Sequence, residues 1–299
     1  MTAADIARAL GGACRSGGWW RCRCPAHGST GASLALRDGP DGGLIVHCHA
    51  DCTRADVLAA LRRLGLIGDG PRRAASPPPT ASPADRERRI EAARKVWAAG
   101  RDARGTPVAA YLRARGIDLP PDHPAWRVLR WAPRCWHSGE RAELPAMVAR
   151  VDGPDGETIG VHRTYLRRDP DGTWHRRDRA SLGPIGGGAV RLGALRPDAP
   201  LIVAEGVESA LAAILTPGLM LGCPAWAALS AGGIQALVLP DEAWDIVIAA
   251  DHDANGTGER AARKAALRWV REGRRVRLVI PDRIGVDPND LLREVRHAA

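Results

Sequence analysis

The chain has 299 residues, 45% of them hydrophobic, and a formal net charge of +9. That length and apolar content exclude a wholly disordered polymer and allow two or three domains with real cores, while the basic balance favours a polyanionic partner. The charge is uneven: residues 1–70 carry 8 Lys and Arg against 6 acids, 71–197 carry 24 against 14, and 198–299 carry 11 against 14. Nearly all of the excess is arginine, whose fork suits phosphate, although GC-rich codon usage and a solvated surface would leave the same imprint. With no Phe and 10 Trp, indoles supply most aromatic packing, chiefly as core anchors and secondarily as base-stacking platforms. No apolar stretch follows a basic start, and the 7 cysteines are an odd number, so a cytoplasmic, reducing setting is expected. The uncharged run 209–240 is broken by Pro217, Pro224 and Gly232-Gly233, which excludes a membrane-spanning helix there.

In chain order, residues 4–10 and 54–64 have helical spacing, the second behind Thr53 as N-cap. Between them, 33–36 and 44–47 read as strands of a hairpin turned by 39–43. Cys24-Pro25-Ala26-His27 precedes this hairpin and Cys48-His49-Ala50-Asp51-Cys52 follows it. Two tight ligand pairs at the ends of a hairpin are what a closed tetrahedral structural zinc site needs, so Cys24, His27, Cys48 and Cys52 are the candidate ligands. The alternative is a set of reduced cysteines without metal.

Residues 71–84 are a Pro-rich linker by composition. A basic mixed α+β region is expected over 85–197, with helices at 85–99 and 108–115 and strands at 126–131, 146–151 and 159–167. Along and beyond the last strand lie Arg163, Arg167, Arg168, Arg176, Arg177 and Arg179. Alternation puts Arg163 and Arg167 on one side of the strand, and with Arg168 they are candidate nucleic-acid contacts; an exposed sheet face explains them equally. The glycine-rich segment 183–188 lacks the Lys-Ser/Thr ending of a phosphate loop, so no helicase motor is recognisable.

From 198 to 299 strands and helices alternate: strands 201–205, 225–229, 245–250 and 275–280, and helices 207–215, 233–239, 258–272 and 288–296. This order predicts a parallel sheet with helices on both faces. Glu205 ends the first strand, and Asp251 and Asp253 follow the third. Carboxylates gathered at one sheet edge are suited to a hard cation such as Mg²⁺, although a single such acid more often caps the next helix.

Glu205-Gly206-Val207-Glu208-Ser209, Asp251-His252-Asp253 and Asp287-Pro288-Asn289-Asp290 together resemble the Toprim domain of primases and topoisomerases. The resemblance runs from about 200 to 293. The Cys/His pairs over about 19–52 are similar to the zinc module of bacterial and phage primases, with one extra residue in the second pair, so that His47, His49 or Cys22 could stand in for one ligand. These resemblances imply an α/β Toprim sheet behind a mixed α+β region and a small zinc-ribbon-like β module over 1–70. They imply a phage- or plasmid-type DNA primase using structural Zn²⁺, with Mg²⁺ or Mn²⁺ at Glu205, Asp251 and Asp253. Asp287 and Asp290 would complete the acidic pocket. Single-stranded DNA and nucleoside triphosphates would be the ligands, and unwinding would need a separate helicase. The Toprim scaffold also serves metal-dependent nucleases. Ser209 and Asn289 stand where the main bacterial primases have aspartates, which admits a third reading, a catalytically silent nucleic-acid-binding replication accessory. A topoisomerase is disfavoured because only Tyr111 and Tyr165 are present.

Overall fold

The computed structural model describes all residues except 12–13, 17–18, 29–30, 40–42, 51, 69–81, 217–221, 253–255 and 299, and leaves the side chains of 14–16 and 295–298 undescribed. Asp253, the hairpin tip at 40–42 and most of the Pro-rich segment lie outside the described residues. The chain divides into two compact units, Met1–Thr80 with His137–Ala142, and Ala81–Trp136 with Glu143–Ala299.

In the first unit, α1 (Ala3–Ala9) and α2 (Arg54–Arg63) each start with a reciprocal capping box, Thr2 with Asp5 and Thr53 with Asp56. Strands β1 (Cys14–Ser16), β2 (Trp19–Cys22), β3 (Leu34–Asp38) and β4 (Leu44–Cys48) form an antiparallel sheet in that order. Ile6, Leu34, Leu36, Val57 and Leu61 close its core. The register decides where the cysteines go. Leu34 pairs with Cys22 on one side and Cys48 on the other, so the exit of β2 and the end of β4 share one sheet edge.

The second unit begins with α3 (Pro83–Ala99), which is capped by Ser82 and starts two residues before the expected position. There follow β5 (Arg101–Asp102), α4 (Pro107–Ala114), β6 (Leu129–His137), β7 (Ala142–Asp152), β8 (Thr158–Arg168) and β9 (Trp174–Leu182), a sheet ordered β5-β6-β7-β8-β9. Three elements differ from expectation, the short strand β5, whose two residues are both exposed, among them. Residues Pro124–Val128 are a 3₁₀ turn, because Pro124 opens it and Nδ1 of His123 accepts from Ala125 N–H at 3.2 Å; the strand starts only at Leu129. Strand β9 escaped prediction because its Arg- and Asp-rich edge is mostly exposed, so no apolar alternation marks it.

The second sheet of this unit comprises β10 (Val190–Arg191), β11 (Leu201–Ala204), β12 (Ala225–Ala227), β13 (Asp245–Ala249) and β14 (Arg275–Val279), ordered β10-β12-β11-β13-β14. All neighbours are parallel except β10, which is antiparallel to β12. Helices α5 (Val207–Leu215), α6 (Ala231–Ala236), α7 (Thr257–Arg271) and α8 (Pro288–Ala298) connect or flank the strands. One core joins the two sheets of the unit: Tyr111 and Leu112 of α4 and Met147 of β7 pack with Ile202, Val207, Leu211 and Leu292. The structure is thus mixed α/β, with a parallel sheet at the carboxyl end and a small Cys/His-bearing module at the amino end. Among the described residues no helix is long and apolar enough to cross a membrane.

Candidate functional site

At the first unit's sheet edge, Cys24 lies just beyond β2, His27 in the following turn, Cys48 at the end of β4, and Cys52 immediately before the Thr53 cap of α2. Their ligand atoms all lie within 4.8 Å of one another. His27 Nδ1 is 3.0 Å from Cys52 Sγ and 3.7 Å from Cys48 Sγ, while Nε2 is 3.3 Å from Ser33 Oγ. The ring therefore turns Nδ1 to the sulfurs and Nε2 to a hydroxyl that fixes its orientation. Zn–S and Zn–N bonds of about 2.3 and 2.0 Å would set tetrahedral ligand atoms roughly 3.3–3.8 Å apart, close to this packing.

The electrostatics fit a cation. The Cys24 thiol hydrogen-bonds to Cys48 and, with the backbone N–H groups of Ala50 and Cys52, outweighs burial and draws the Cys48 thiol down to about 5. Cys24 is pushed up by that same bond and by burial, and Cys52 to about 11 by burial and the charge on Cys48. Crowded sulfurs cannot all ionise alone; a divalent ion would let them. Cys22 points its sulfur at the Leu34 carbonyl, 3.8 Å away, and His47 and His49 stack edge to face. None of the three belongs to the described cluster.

At the second unit's parallel sheet, Ala204 of β11 pairs with Ala249 of β13, so Glu205 and Asp251 emerge from adjacent strands at one edge. Strand β11 pairs with β12 on one flank and β13 on the other, which makes this edge the topological switch point where such sheets bind ligands. Both acids are half-buried, and Asp251 Oδ1 is shielded from solvent. Leu229, whose N–H donates to the Glu205 carbonyl at 2.7 Å, has φ of 72° in the left-handed region, a strained conformation for a branched side chain beside the edge. Ser230 caps α6 through Gly233 N–H at 2.8 Å.

His252 ties the third acidic segment to this edge. Its N–H donates to Val286, its carbonyl accepts from Gly285, and its Nδ1 lies 2.6 Å from the Pro281 carbonyl. Asp287 and Asp290 bracket the start of α8 reciprocally: Asp290 N–H donates to Asp287 Oδ1 at 2.9 Å and Asp287 N–H to Asp290 Oδ2 at 3.2 Å. Burial and the neighbouring Asp290 raise the Asp287 carboxyl, against backbone donors and Arg115, whose guanidinium is 3.7 Å away. Capping is therefore a role both acids already perform.

The two positions flagged as missing acids are buried. Ser209 is 5% exposed, and Asn289 is 0% exposed with Nδ2 donating to the Arg115 carbonyl at 2.7 Å. Glu208, the nearest acid to Ser209, turns into the core. It accepts from the Tyr111 hydroxyl at 2.7 Å, and although burial opposes ionisation, Tyr111, its own backbone N–H, Arg176 and His162 hold its carboxyl below the usual range. His162 is pushed down to about 4 by burial and the arginines Arg179, Arg163 and Arg176, against the opposing charge of Glu208. Sequence reasoning missed this network because its members are far apart in the chain.

The arginines divide. Arg163, expected on an open face, is buried, with its guanidinium donating to the carbonyls of Trp136 at 3.1 Å and Ser181 at 3.3 Å. Arg167 pairs with Asp169, and Arg168 donates to the Gly172 carbonyl at 3.1 Å, so both stitch the β8–β9 turn while remaining exposed. Arg176, Arg177 and Arg179 on edge strand β9 are exposed as well.

Residues 200–297 match the model of the Toprim domain, and residues 87–192 match a domain of unknown function, DUF7146. No curated protein shows significant sequence similarity to the chain. Among solved structures, the chain is similar to the zinc-binding and RNA polymerase domains of the Aquifex aeolicus primase, with 15% identity, 99% of this chain and 82% of that chain covered, and TM-score 0.40. It is also similar to the primase fragment of the bacteriophage T7 primase-helicase protein, with 16% identity, 93% and 97% coverage and TM-score 0.42. A third is a DNA primase domain from Pseudomonas aeruginosa, with 19% identity, 70% and 76% coverage and TM-score 0.42. The carboxyl-terminal third of the chain is therefore a Toprim domain, carried in one polypeptide with a Cys/His cluster of metal-ligand geometry.

Proposed function

We propose that this chain is a DNA primase-like nucleotidyltransferase that makes primers on single-stranded DNA from nucleoside triphosphates. The observation that carries the reading is the emergence of Glu205 and Asp251 from adjacent parallel strands at the switch point of a Toprim domain. Glu205 and Asp251, with Asp253 two positions further along the chain, would hold Mg²⁺ or Mn²⁺, and Asp287 and Asp290 would border the pocket. A divalent cation there supplies charge neutralisation for phosphoryl transfer. The protein's own part is to converge the carboxylates, to shield Asp251 Oδ1 from water and to present the arginines of β9 to phosphates. Cys24, His27, Cys48 and Cys52 would hold a structural zinc ion, leaving the first unit to contact template. Unwinding would come from a separate helicase.

A template-dependent primer-synthesis assay with Mg²⁺ or Mn²⁺, using Asp251→Ala/Asp253→Ala as control, tests this directly. Product with wild type and none with the double variant supports it; no product on any single-stranded template refutes it. Phosphodiester cleavage without nucleotides would instead select the nuclease. The silent-accessory reading draws on the burial of Ser209 and Asn289, neither of which presents an acid to the edge. DNA binding that survives removal of divalent ions, without turnover, would select it.

A further inference from the structure

Helix α4 lies in the segment before the Toprim domain, yet it contacts both helices that carry the outer acidic motifs. Tyr111 lies in the last turn of α4 and Arg115, its C-cap, follows four positions on, so the two fall one turn apart on one face. From that face the Tyr111 hydroxyl donates to Glu208 Oε1, in the first turn of α5 and three residues beyond Glu205. One turn on, the Arg115 carbonyl accepts from Asn289 Nδ2 at the start of α8, and its guanidinium lies 3.7 Å from Asp287. Tyr111 is 1% exposed, Glu208 7% and Asn289 0%, so water does not compete for these bonds. The α5 start needs such a tie, because its N-cap Gly206 offers no side-chain cap.

We propose that α4 is a positioning bracket for the acid edge: Tyr111 and Arg115 register the starts of α5 and α8, and divalent-cation affinity at Glu205 and Asp251 depends on these bonds although neither residue touches the ion. The inference rests on the metal reading of that edge given above. Partners bonded directly to a metal ligand typically change affinity 10- to 100-fold when removed, and Tyr111 acts one step further back, through Glu208, so the lower end applies. Tyr111→Phe deletes one oxygen and keeps the ring, so the core stays filled.

The test is Mn²⁺ binding to the full chain, read by electron paramagnetic resonance of the free ion, for wild type, Tyr111→Phe, Tyr165→Phe and Asp251→Asn. Tyr165 is the matched control, because its buried hydroxyl donates to the Trp136 carbonyl at 2.6 Å, away from α5. A merely structural tyrosine lowers the melting temperature in either Phe variant; only the bracket moves the ion. We expect Tyr111→Phe to weaken Mn²⁺ about 10-fold, Tyr165→Phe to leave it unchanged and Asp251→Asn to abolish it. Unchanged affinity in Tyr111→Phe, with loss in Asp251→Asn, overturns the bracket alone, as does equal weakening in both Phe variants. Wild type with no binding that Asp251→Asn removes overturns the metal reading and the bracket with it.

Discussion

Replacing Asn289 by aspartate restores the acid that primases of the main bacterial type carry at this position, and the structure predicts that it harms rather than helps. Asn289 is fully buried and Nδ2 donates to the Arg115 carbonyl. A carboxylate there would put an acceptor against an acceptor, stranding a buried carbonyl at about 1–3 kcal/mol and adding the penalty of an enclosed charge. The new acid can escape by protonating, because its O–H can then donate to Arg115. Holding a carboxyl of ordinary pKa near 4 protonated at pH 7 costs about 4 kcal/mol, which caps the loss. The folded pKa is raised above the unfolded one, so the penalty is absent below about pH 4 and grows as pH rises toward the folded value. At pH 7 we expect about 3–4 kcal/mol, or a melting temperature lower by roughly 6–16 °C, shrinking to little at pH 4. Thermal unfolding of Asn289→Asp and wild type at both pH values is the assay. Wild-type stability at pH 7 together with raised Mg²⁺-dependent activity would refute the reasoning and place position 289 at the acid edge.

Zinc analysis of protein purified without added metal should give one ion per chain, and Cys52→Ala should lose it; chelation should unfold the first unit while the second keeps its melting transition, and a zinc-free, fully folded first unit would contradict the ligand set. His162 is buried with its pKa down at about 4, so the unfolded chain takes the proton first. Its contribution is full above about pH 6.5 and is lost as pH falls toward 4, at most about 3 kcal/mol. His162→Gln should therefore flatten the acid limb of a stability–pH curve in that window, and an unchanged limb would argue against it. Joint replacement of Arg176, Arg177 and Arg179 by Gln should weaken single-stranded DNA binding and lower the magnitude of the log–log salt slope by up to about 2, at roughly 0.7 per phosphate contact. Arg163→Met, by contrast, should mainly lower the melting temperature, since its guanidinium serves two backbone carbonyls.

What could be read from the sequence was local. The alternation of short β-branched runs with helical spacing located β11, α5, β13, α7, β14 and α8 to within a residue or two, because the buried strands β11 and β13 run almost wholly apolar toward the acids and helical spacing marks what lies between. The Cys/His pairs were legible for the same reason, since a hairpin fixes the distance between its ends and both pairs flank one. Strand β9 was not legible: an edge strand with two polar faces has no period to detect.

The buried contacts of Glu208 and Asn289 escaped for a different reason. Sequence shows spacing along a helix but not which face meets a distant neighbour, so neither contact could be read from it. Glu208 meets Tyr111 across 97 positions and Asn289 meets Arg115 across 174. The last turn of α4 and its C-cap hold both partners. The acids that remain at the switch point, Glu205 and Asp251, are those whose placement follows from strand register alone. Of the two departures from the primase pattern, Asn289 falls on a residue that joins the Toprim domain to the segment before it. If the bracket sets ion affinity, altering α4 alone should retune the site with every acid intact, and no comparison confined to the Toprim segment would reveal why.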